Sequence, residues 1–154
     1  MPGICLPNRT LALVLLLSVC GCNEASETDP SAAEAHHAGV FVDKTFEDAK
    51  AEAAADKLLF VDVVTPWCIP CKRMDKTTWP NEDLVQWFEE HVVAIKIDTK
   101  ENTWFAFDYE IRQWPTFLVF KDGREIARDT GFKTAGEILN WLEKELEDAE
   151  KDIY

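Results

Sequence analysis

Residues 58–72 read LLFVDVVTPWCIPCK, and this stretch decides the fold. Its first part, 58–65, is an almost continuous run of apolar and β-branched residues, which is typical of a strand buried on both faces. The apolar run ends before Cys68. Cys68 and Cys71 are spaced to share the first turn of a helix, where Pro70 is tolerated. The sequence therefore predicts a central parallel strand that leads directly into a helix carrying two cysteines.

The position of the two cysteines has chemical consequences. Across the first turn of a helix, Cys68 and Cys71 come close enough for a disulfide, and Cys68 is left exposed at the end where free amides and the helix dipole stabilise a thiolate. Asp62 lies inside the predicted strand, where a carboxylate is costly unless it is paired or functional. Alternatives remain open: a structural disulfide, half of a zinc site for which the folded region adds only His91, or Asp62 as part of a local hydrogen-bond network.

Strands and helices alternate through the rest of the predicted domain, residues 40–154. Thr45 and Asp48 form a Thr-x-x-Asp cap for the first helix, and Asp122-Gly123 predicts a hairpin. Predicted helices cover 45–55, 68–77, 82–90, 103–109 and 134–147; predicted strands cover 40–42, 58–65, 92–97, 116–120 and 125–127. The order βαβαβαββα predicts an α/β domain with a mixed sheet between helices, and the acidic residues 143–152 read as a solvated helix face and tail.

Several of these motifs occur together in the thioredoxin family, which the chain resembles over about residues 40–146. The resemblance implies a thioredoxin fold, a central mixed β-sheet flanked by helices, and thiol-disulfide oxidoreductase activity without a bound cofactor or metal. Within the family, the chain looks most like the C-terminal domain of DsbD-type thiol:disulfide interchange proteins. The motifs are Phe60-Val61-Asp62, Trp67-Cys68-x-Pro70-Cys71-Lys72, Tyr109-x-Ile111-x-x-Trp114-Pro115-Thr116, Lys121-Asp122-Gly123 and, for the DsbD type, Thr77-Thr78-Trp79 and Thr130-Gly131-Phe132.

The resemblance also implies roles for individual residues. Cys68 is the expected nucleophile, Cys71 the resolving thiol, and Asp62 the buried carboxylate that assists proton transfer at Cys71, its pKa raised by desolvation. Pro115 is expected to be a cis-proline that faces the disulfide, a geometry that the aromatic Trp114 before it favours. The expected substrate-binding residues are Trp67, Ile69, Pro70, Trp114 and Pro115, although Trp114 and Trp79 fit a core position equally well.

Three positions depart from the usual thioredoxin pattern. Ile69 replaces the glycine of the common site, and Trp114 replaces a smaller aliphatic residue. Ala94 stands where thioredoxins usually place a lysine near the buried carboxylate. These departures leave the reduction potential and the substrate preference open.

The N-terminal residues read as an export signal. The apolar run 11–19 would span only about 14 Å as a helix, well short of the ~30 Å of a bilayer core, so we predict a signal peptide. Val19-Cys20-Gly21-Cys22 resembles a bacterial lipoprotein signal, which predicts removal of residues 1–21 and lipidation of Cys22. Ordinary secretion, or a buried helix, is the alternative. Residues 22–39 then form a lipidated, flexible tether, in which adjacent His36 and His37 lack convergent metal ligands.

Charge narrows the possible partners. The 154 residues fit one domain, and 29 acidic against 16 basic residues give a net charge of -13, which argues against nucleic acid as a partner.

Together with the export signal, the CxxC motif predicts a protein of the bacterial cell envelope that faces the periplasm on a lipid anchor. The outer membrane is favoured because Asn23 is not a retention aspartate. It would reduce disulfides in envelope proteins with electrons from an unidentified membrane donor. A disulfide-forming or isomerising enzyme, and an interaction module with incidental redox activity, are the alternatives.

Overall fold

The computed structural model describes residues 39–54 and 56–151. The predicted signal peptide, the lipidation site at Cys22 and nearly all of the predicted tether lie outside the described residues. Nine helices and strands form the described part. Among these residues, no helix combines the length and the hydropathy that a membrane span requires. The nine elements follow in the order α1 (Phe46–Ala53), β1 (Leu58–Val64), α2 (Ile69–Thr77), α3 (Glu82–His91), β2 (Val92–Asp98), α4 (Thr103–Asp108), β3 (Thr116–Lys121), β4 (Arg124–Thr130) and α5 (Ala135–Lys151).

The sheet is mixed, as predicted. Its strand order is β2-β1-β3-β4, with β1 parallel to β2 and antiparallel to β3. β3 and β4 form the predicted antiparallel hairpin around Asp122 and Gly123, both of which have positive φ. Every residue of β1 is buried, which is the outcome that its continuous apolar run predicted. β1 therefore lies inside the sheet, and its carboxyl end leads directly to the two cysteines.

The predicted strand at 40–42 is wrong. These residues adopt no regular strand, and the backbone N–H of Val42 donates a single hydrogen bond to the carbonyl oxygen of Ala94 at 2.8 Å. A strand requires a repeated ladder of such bonds, which one contact does not provide. Val40 and Phe41 are nevertheless buried, so the apolar pattern of this segment reflects packing onto the sheet rather than pairing with it.

Two large clusters, one on each face of the sheet, form most of the core. Alternate residues of β1 point to opposite faces, so Phe60 packs in one cluster and Val61 in the other. The Phe60 cluster includes buried residues of α2, α3 and α5, and the Val61 cluster includes those of α1 and α4. Asp62 lies two residues from Phe60 and so faces the side that carries α2, the helix of the cysteines.

Helix α2 ends before α3 begins, and local signals explain the break. Pro80 disfavours helical backbone at the residue before it, and the side chain of Asn81 caps α3 by accepting a hydrogen bond from the N–H of Leu84 at 3.0 Å. The Thr78 hydroxyl donates to the carbonyl oxygen of Lys133 at 2.7 Å. The end of α2 is therefore fixed to the segment that leads into α5.

Helix α5 continues to Lys151, beyond the predicted end at residue 147. Two ion pairs across one helical turn support the extension: Lys144 with Asp148 at 2.8 Å, and Lys151 with Glu147 at 3.7 Å. Such i,i+4 pairs favour helix on an exposed face. Most of the predicted acidic tail within the described residues is thus the charged face of a helix.

Candidate active site

The two cysteines occupy the N-terminus of α2. Cys68 is the N-cap residue, Cys71 lies in the first turn, and the two form a disulfide with their Cα atoms 5.3 Å apart. The backbone N–H of Cys71 donates a hydrogen bond to the Sγ of Cys68 at 3.1 Å. An amide in this position stabilises negative charge on sulfur, as does the positive end of the helix dipole. The arrangement favours a thiolate at Cys68 when the pair is reduced.

Cys68 is less exposed than the sequence predicted. Only 6% of Cys68 and 5% of Cys71 is accessible, because both pack against Val64 at the end of β1. The side chains on either side of Cys68 point outward instead: Trp67 is 71% exposed and Ile69 is 79% exposed. The expectation of an exposed cysteine is therefore wrong in degree, and a partner must approach Cys68 past two large apolar side chains.

That approach is a groove of about 770 Å³ in which Cys68 forms part of the lining. It contains four of the five predicted substrate-binding residues, Trp67, Ile69, Pro70 and Trp114. Pro115 is buried and does not line the groove, although the Trp114–Pro115 peptide bond is cis as predicted. The lining residues are Thr65, Trp67, Cys68, Ile69, Pro70, Thr99, Lys100, Thr103 and Trp114.

Two tryptophans that the sequence could not distinguish have different positions. Trp79 is fully buried, and its ring makes edge contacts with the rings of Phe41, Phe60 and Phe117. Trp114 is 37% exposed and lines the groove. Trp79 is therefore a core residue, whereas Trp114 is available to contact a partner.

Asp62 is buried, with 1% of the residue accessible. Its Oδ2 lies 3.5 Å from the Nζ of Lys96, and its Oδ1 has no hydrogen-bond partner among the described residues. Burial raises the pKa of Asp62 to about 7, against a smaller lowering by Lys96, and the nearby charge of Asp75 raises it further. The carboxyl group can therefore gain and lose a proton near neutral pH.

Lys96 supplies a cation near Asp62 that was not predicted from the sequence. The usual lysine position holds Ala94, but Lys96 lies two residues along β2 on the same face and is paired in register with Asp62. Lys96 also forms an ion pair with Asp75 on α2, and its Nζ lies 4.6 Å from the centre of the Phe41 ring. The alternation of β2 places Ala94 and Lys96 on one face, but only the register of the two strands identifies the partner of Lys96.

The loop after β2 forms another part of the site that the sequence analysis did not identify. The N–H and the hydroxyl of Thr99 both donate to the carbonyl oxygen of Val64, at 3.0 and 3.1 Å. These bonds join the loop to the strand that precedes the cysteines. Lys100 follows, and its Nζ lies 5.9 Å from the centre of the Trp67 ring. No sequence motif marked this loop, because its position depends on the parallel pairing of β1 and β2.

No group of three or more potential metal ligands occurs within residues 39–54 and 56–151. Cys68 and Cys71 are bonded to each other, and His91 lies at the end of α3, where its Nε2 is 3.7 Å from Glu90. Those residues therefore do not assemble the zinc site that was an alternative for the cysteines.

The thioredoxin family model matches residues 38–144 of this chain. The chain belongs to the thioredoxin family. It is 31% identical to Thioredoxin 1 of Synechococcus elongatus over 109 residues, which cover 71% of this chain and 97% of that protein. It is also 27% identical to protein disulfide-isomerase 1 of Caenorhabditis elegans over 112 residues, 73% of this chain but 22% of that longer protein.

Solved structures agree with this assignment. The germline-specific thioredoxin Deadhead of Drosophila melanogaster is 30% identical, with a TM-score of 0.54 over 64% of this chain and 90% of its own. A thioredoxin variant from Halobacterium salinarum is 21% identical, with a TM-score of 0.54 over 70% of this chain and 89% of its own, and it supports the fold. The predicted thioredoxin fold is confirmed, and this thioredoxin-like protein is a thiol-disulfide oxidoreductase with a CxxC pair.

Proposed function

We propose that this thioredoxin-like protein reduces disulfides in proteins of the bacterial cell envelope. The observation that carries the proposal is the position of Cys68, at the N-terminus of α2 and in the lining of an apolar groove that can receive a client segment. The export signal and the lipoprotein motif ending at Cys22 support a lipid-anchored protein facing the periplasm, with Asn23 favouring the outer membrane. In this proposal residues 1–21 are removed, 22–39 form the tether and 40–154 form the catalytic domain.

The first chemical step is attack on the client. In the reduced protein, the Cys71 amide and the helix dipole stabilise the Cys68 thiolate. This thiolate attacks one sulfur of a client disulfide. A bond forms between Cys68 and that sulfur, the client disulfide breaks, and the second client sulfur leaves as a thiolate.

The second step resolves the mixed disulfide. Cys71 transfers its proton to Asp62 and attacks the Sγ of Cys68, which releases the first client sulfur as a thiolate. The product is the Cys68–Cys71 disulfide that the structure shows. The client has gained two electrons, the protein has lost two, and Asp62 has taken up the proton. A pKa near 7 suits Asp62 to accept and release this proton at neutral pH.

We propose reduction rather than oxidation as the physiological direction. Ile69 and Pro70 separate the cysteines, so the site lacks the histidine that the strongly oxidising relatives place there. A reduction potential nearer to about -270 mV than to about -120 mV is expected. Equilibration with glutathione of known poise measures this potential, and a value near the oxidising end would favour the alternative of a disulfide-forming or isomerising enzyme.

The proposed source of electrons is a membrane protein. The motifs Thr77-Thr78-Trp79 and Thr130-Gly131-Phe132 support closeness to the C-terminal domain of DsbD-type proteins, which act on the periplasmic side. A lipid-anchored relative of that domain requires a donor that regenerates its dithiol after each reaction. Labelling with a radioactive fatty acid tests the anchor, since Cys22→Ser is expected to abolish incorporation.

Trapping of clients tests the reductase proposal directly. In Cys71→Ser, Cys68 can attack but the mixed disulfide cannot be resolved, so envelope proteins are expected to accumulate as adducts that dithiothreitol releases. Cys68→Ser is the matched control because it retains the Cys71 thiol of the pair but loses the nucleophile. The remaining alternative, a thioredoxin-fold interaction module with incidental redox activity, predicts equal and negligible adduct formation in both variants.

A further inference from the structure

The groove at Cys68 carries a single type of charge. Among the described residues that line it, Lys100 is the only charged one, and it contrasts with the net charge of -13 of the whole chain. Lys100 is exposed. No carboxylate of the described residues lies within 4.0 Å of its Nζ.

The backbone that carries Lys100 is held in place. Thr99 donates two hydrogen bonds to the carbonyl oxygen of Val64, and the N–H of Lys100 donates to Oδ1 of Asp98 at 2.8 Å. The side chain then extends to within 5.9 Å of the Trp67 ring centre, where the aromatic face attracts a cation. These contacts place the ammonium group beside the groove, where no residue of 39–54 or 56–151 accepts a hydrogen bond from its Nζ.

We propose that Lys100 selects client segments that carry an aspartate or glutamate close to the reacting cysteine. This inference rests on the proposed function, because it specifies the substrate class of the same groove. The client occupies the groove with apolar side chains against Trp67 and Trp114, and its carboxylate reaches Lys100. The charge is complementary at one point only, so Lys100 affects the choice between clients rather than the chemistry at Cys68.

Charge exchange between protein and client tests the proposal. The probes are two cyclic disulfide peptides that differ by one residue, glutamate or lysine, next to a cysteine flanked by leucine. The full chain is first reduced, and its single-turnover reaction with each peptide is followed by separating oxidised and reduced peptide. The reaction consumes the Cys68–Cys71 dithiol and yields two peptide thiols and the protein disulfide.

The glutamate peptide is expected to lose about two- to five-fold in rate on Lys100→Gln at low ionic strength, the range expected for one exposed charge pair. The ratio of glutamate-peptide rate to lysine-peptide rate therefore falls in Lys100→Gln, and it is expected to fall further in Lys100→Glu. Salt at 0.5 M should weaken both effects, because the Debye length is then only about 4 Å.

Arg124→Glu is the matched control. It changes the net charge by the same amount as Lys100→Glu. Arg124 is the first residue of β4 and pairs with Lys121 at one end of β3, whereas Pro115 lies at the other end of β3. A general field effect of the acidic chain would alter the peptide ratio in both variants. The proposal requires that only the substitution at Lys100 does so.

Failure of the role of Lys100 and failure of the reductase proposal give different results. If the wild type and the Lys100 variants reduce both peptides with the same ratio of rates, the reductase proposal stands and the role of Lys100 fails. If none of the proteins reduces either peptide, the reductase proposal fails, and equilibrium binding of the same peptides to the oxidised proteins then decides. Equal ratios of Kd for wild type and Lys100→Glu would overturn the role of Lys100 in that case.

Discussion

Replacement of Asp62 by asparagine is expected to make the protein more stable at neutral and alkaline pH. The substitution keeps the shape of the side chain and removes a charge that the buried site disfavours. The pKa of Asp62 rises from an ordinary value of 3.8 to about 7 in the folded protein. Because one pKa unit corresponds to about 1.4 kcal/mol, ionised Asp62 destabilises the fold by about 4 kcal/mol.

The pH range of this effect follows from the two pKa values of Asp62. Below pH 3.8 the carboxyl group is protonated in both the folded and the unfolded protein, and it does not affect stability. Between pH 3.8 and about 7 the unfolded chain loses the proton while the folded protein retains it, so the free energy of unfolding falls as pH rises. Above this range both states are ionised and the destabilisation is constant.

Urea unfolding of the oxidised proteins at pH 4, 5.5, 7 and 8.5 measures the effect. Asp62→Asn should resemble the wild type near pH 4 and become progressively more stable than the wild type, by up to about 4 kcal/mol at pH 8.5. Asp56→Asn removes a carboxylate from an exposed turn and separates the effect of burial from that of net charge. Parallel curves for the wild type and Asp62→Asn across this pH range would refute the reasoning.

Three further predictions concern the surroundings of Asp62 and the start of α3. Lys96→Met should raise the pKa of Asp62 above about 7 and Asp75→Asn should lower it, since Lys96 lowers that pKa and Asp75 raises it. Carbon-13 NMR titration of the Asp62 carboxyl group measures both changes. If the two substitutions shift the pKa in the same direction, the roles given to Lys96 and Asp75 are wrong. Asn81→Ala should cost about 1 kcal/mol of unfolding free energy by removing the cap on the N–H of Leu84, whereas an unchanged urea midpoint would show that the cap is not needed.

Local patterns made much of the fold predictable from the sequence. The run at 58–65 predicts β1 because both of its faces are apolar, and the hairpin is predicted by Asp122 and Gly123, which adopt the positive φ of a tight turn. The segment 40–42 shows the limit of this reasoning. Packing onto a sheet and pairing with it select the same apolar residues, so composition alone could not separate the two.

The site was predictable only where it depends on neighbours in sequence. Cys68 and Cys71 lie within one helical turn, and the closeness of their sulfur atoms follows from that spacing. Lys96 and Lys100 reach the site through the register of β2 against β1, which one sequence does not specify. The low exposure of Cys68 depends on how the chain turns between β1 and α2 so that Cys68 packs against Val64, and the spacing of the two cysteines does not specify that turn.

The short length of α2 has a consequence for stability in different redox environments. A helix of nine residues does not persist alone in water, so the amide of Cys71 meets the sulfur of Cys68 only in the folded domain. Any preference that this amide confers on the thiolate is therefore absent from the unfolded chain. By thermodynamic linkage, the difference in reduction potential between folded and unfolded protein equals a difference in unfolding free energy between reduced and oxidised protein. The free energy of unfolding of the domain is therefore expected to differ between reducing and oxidising surroundings.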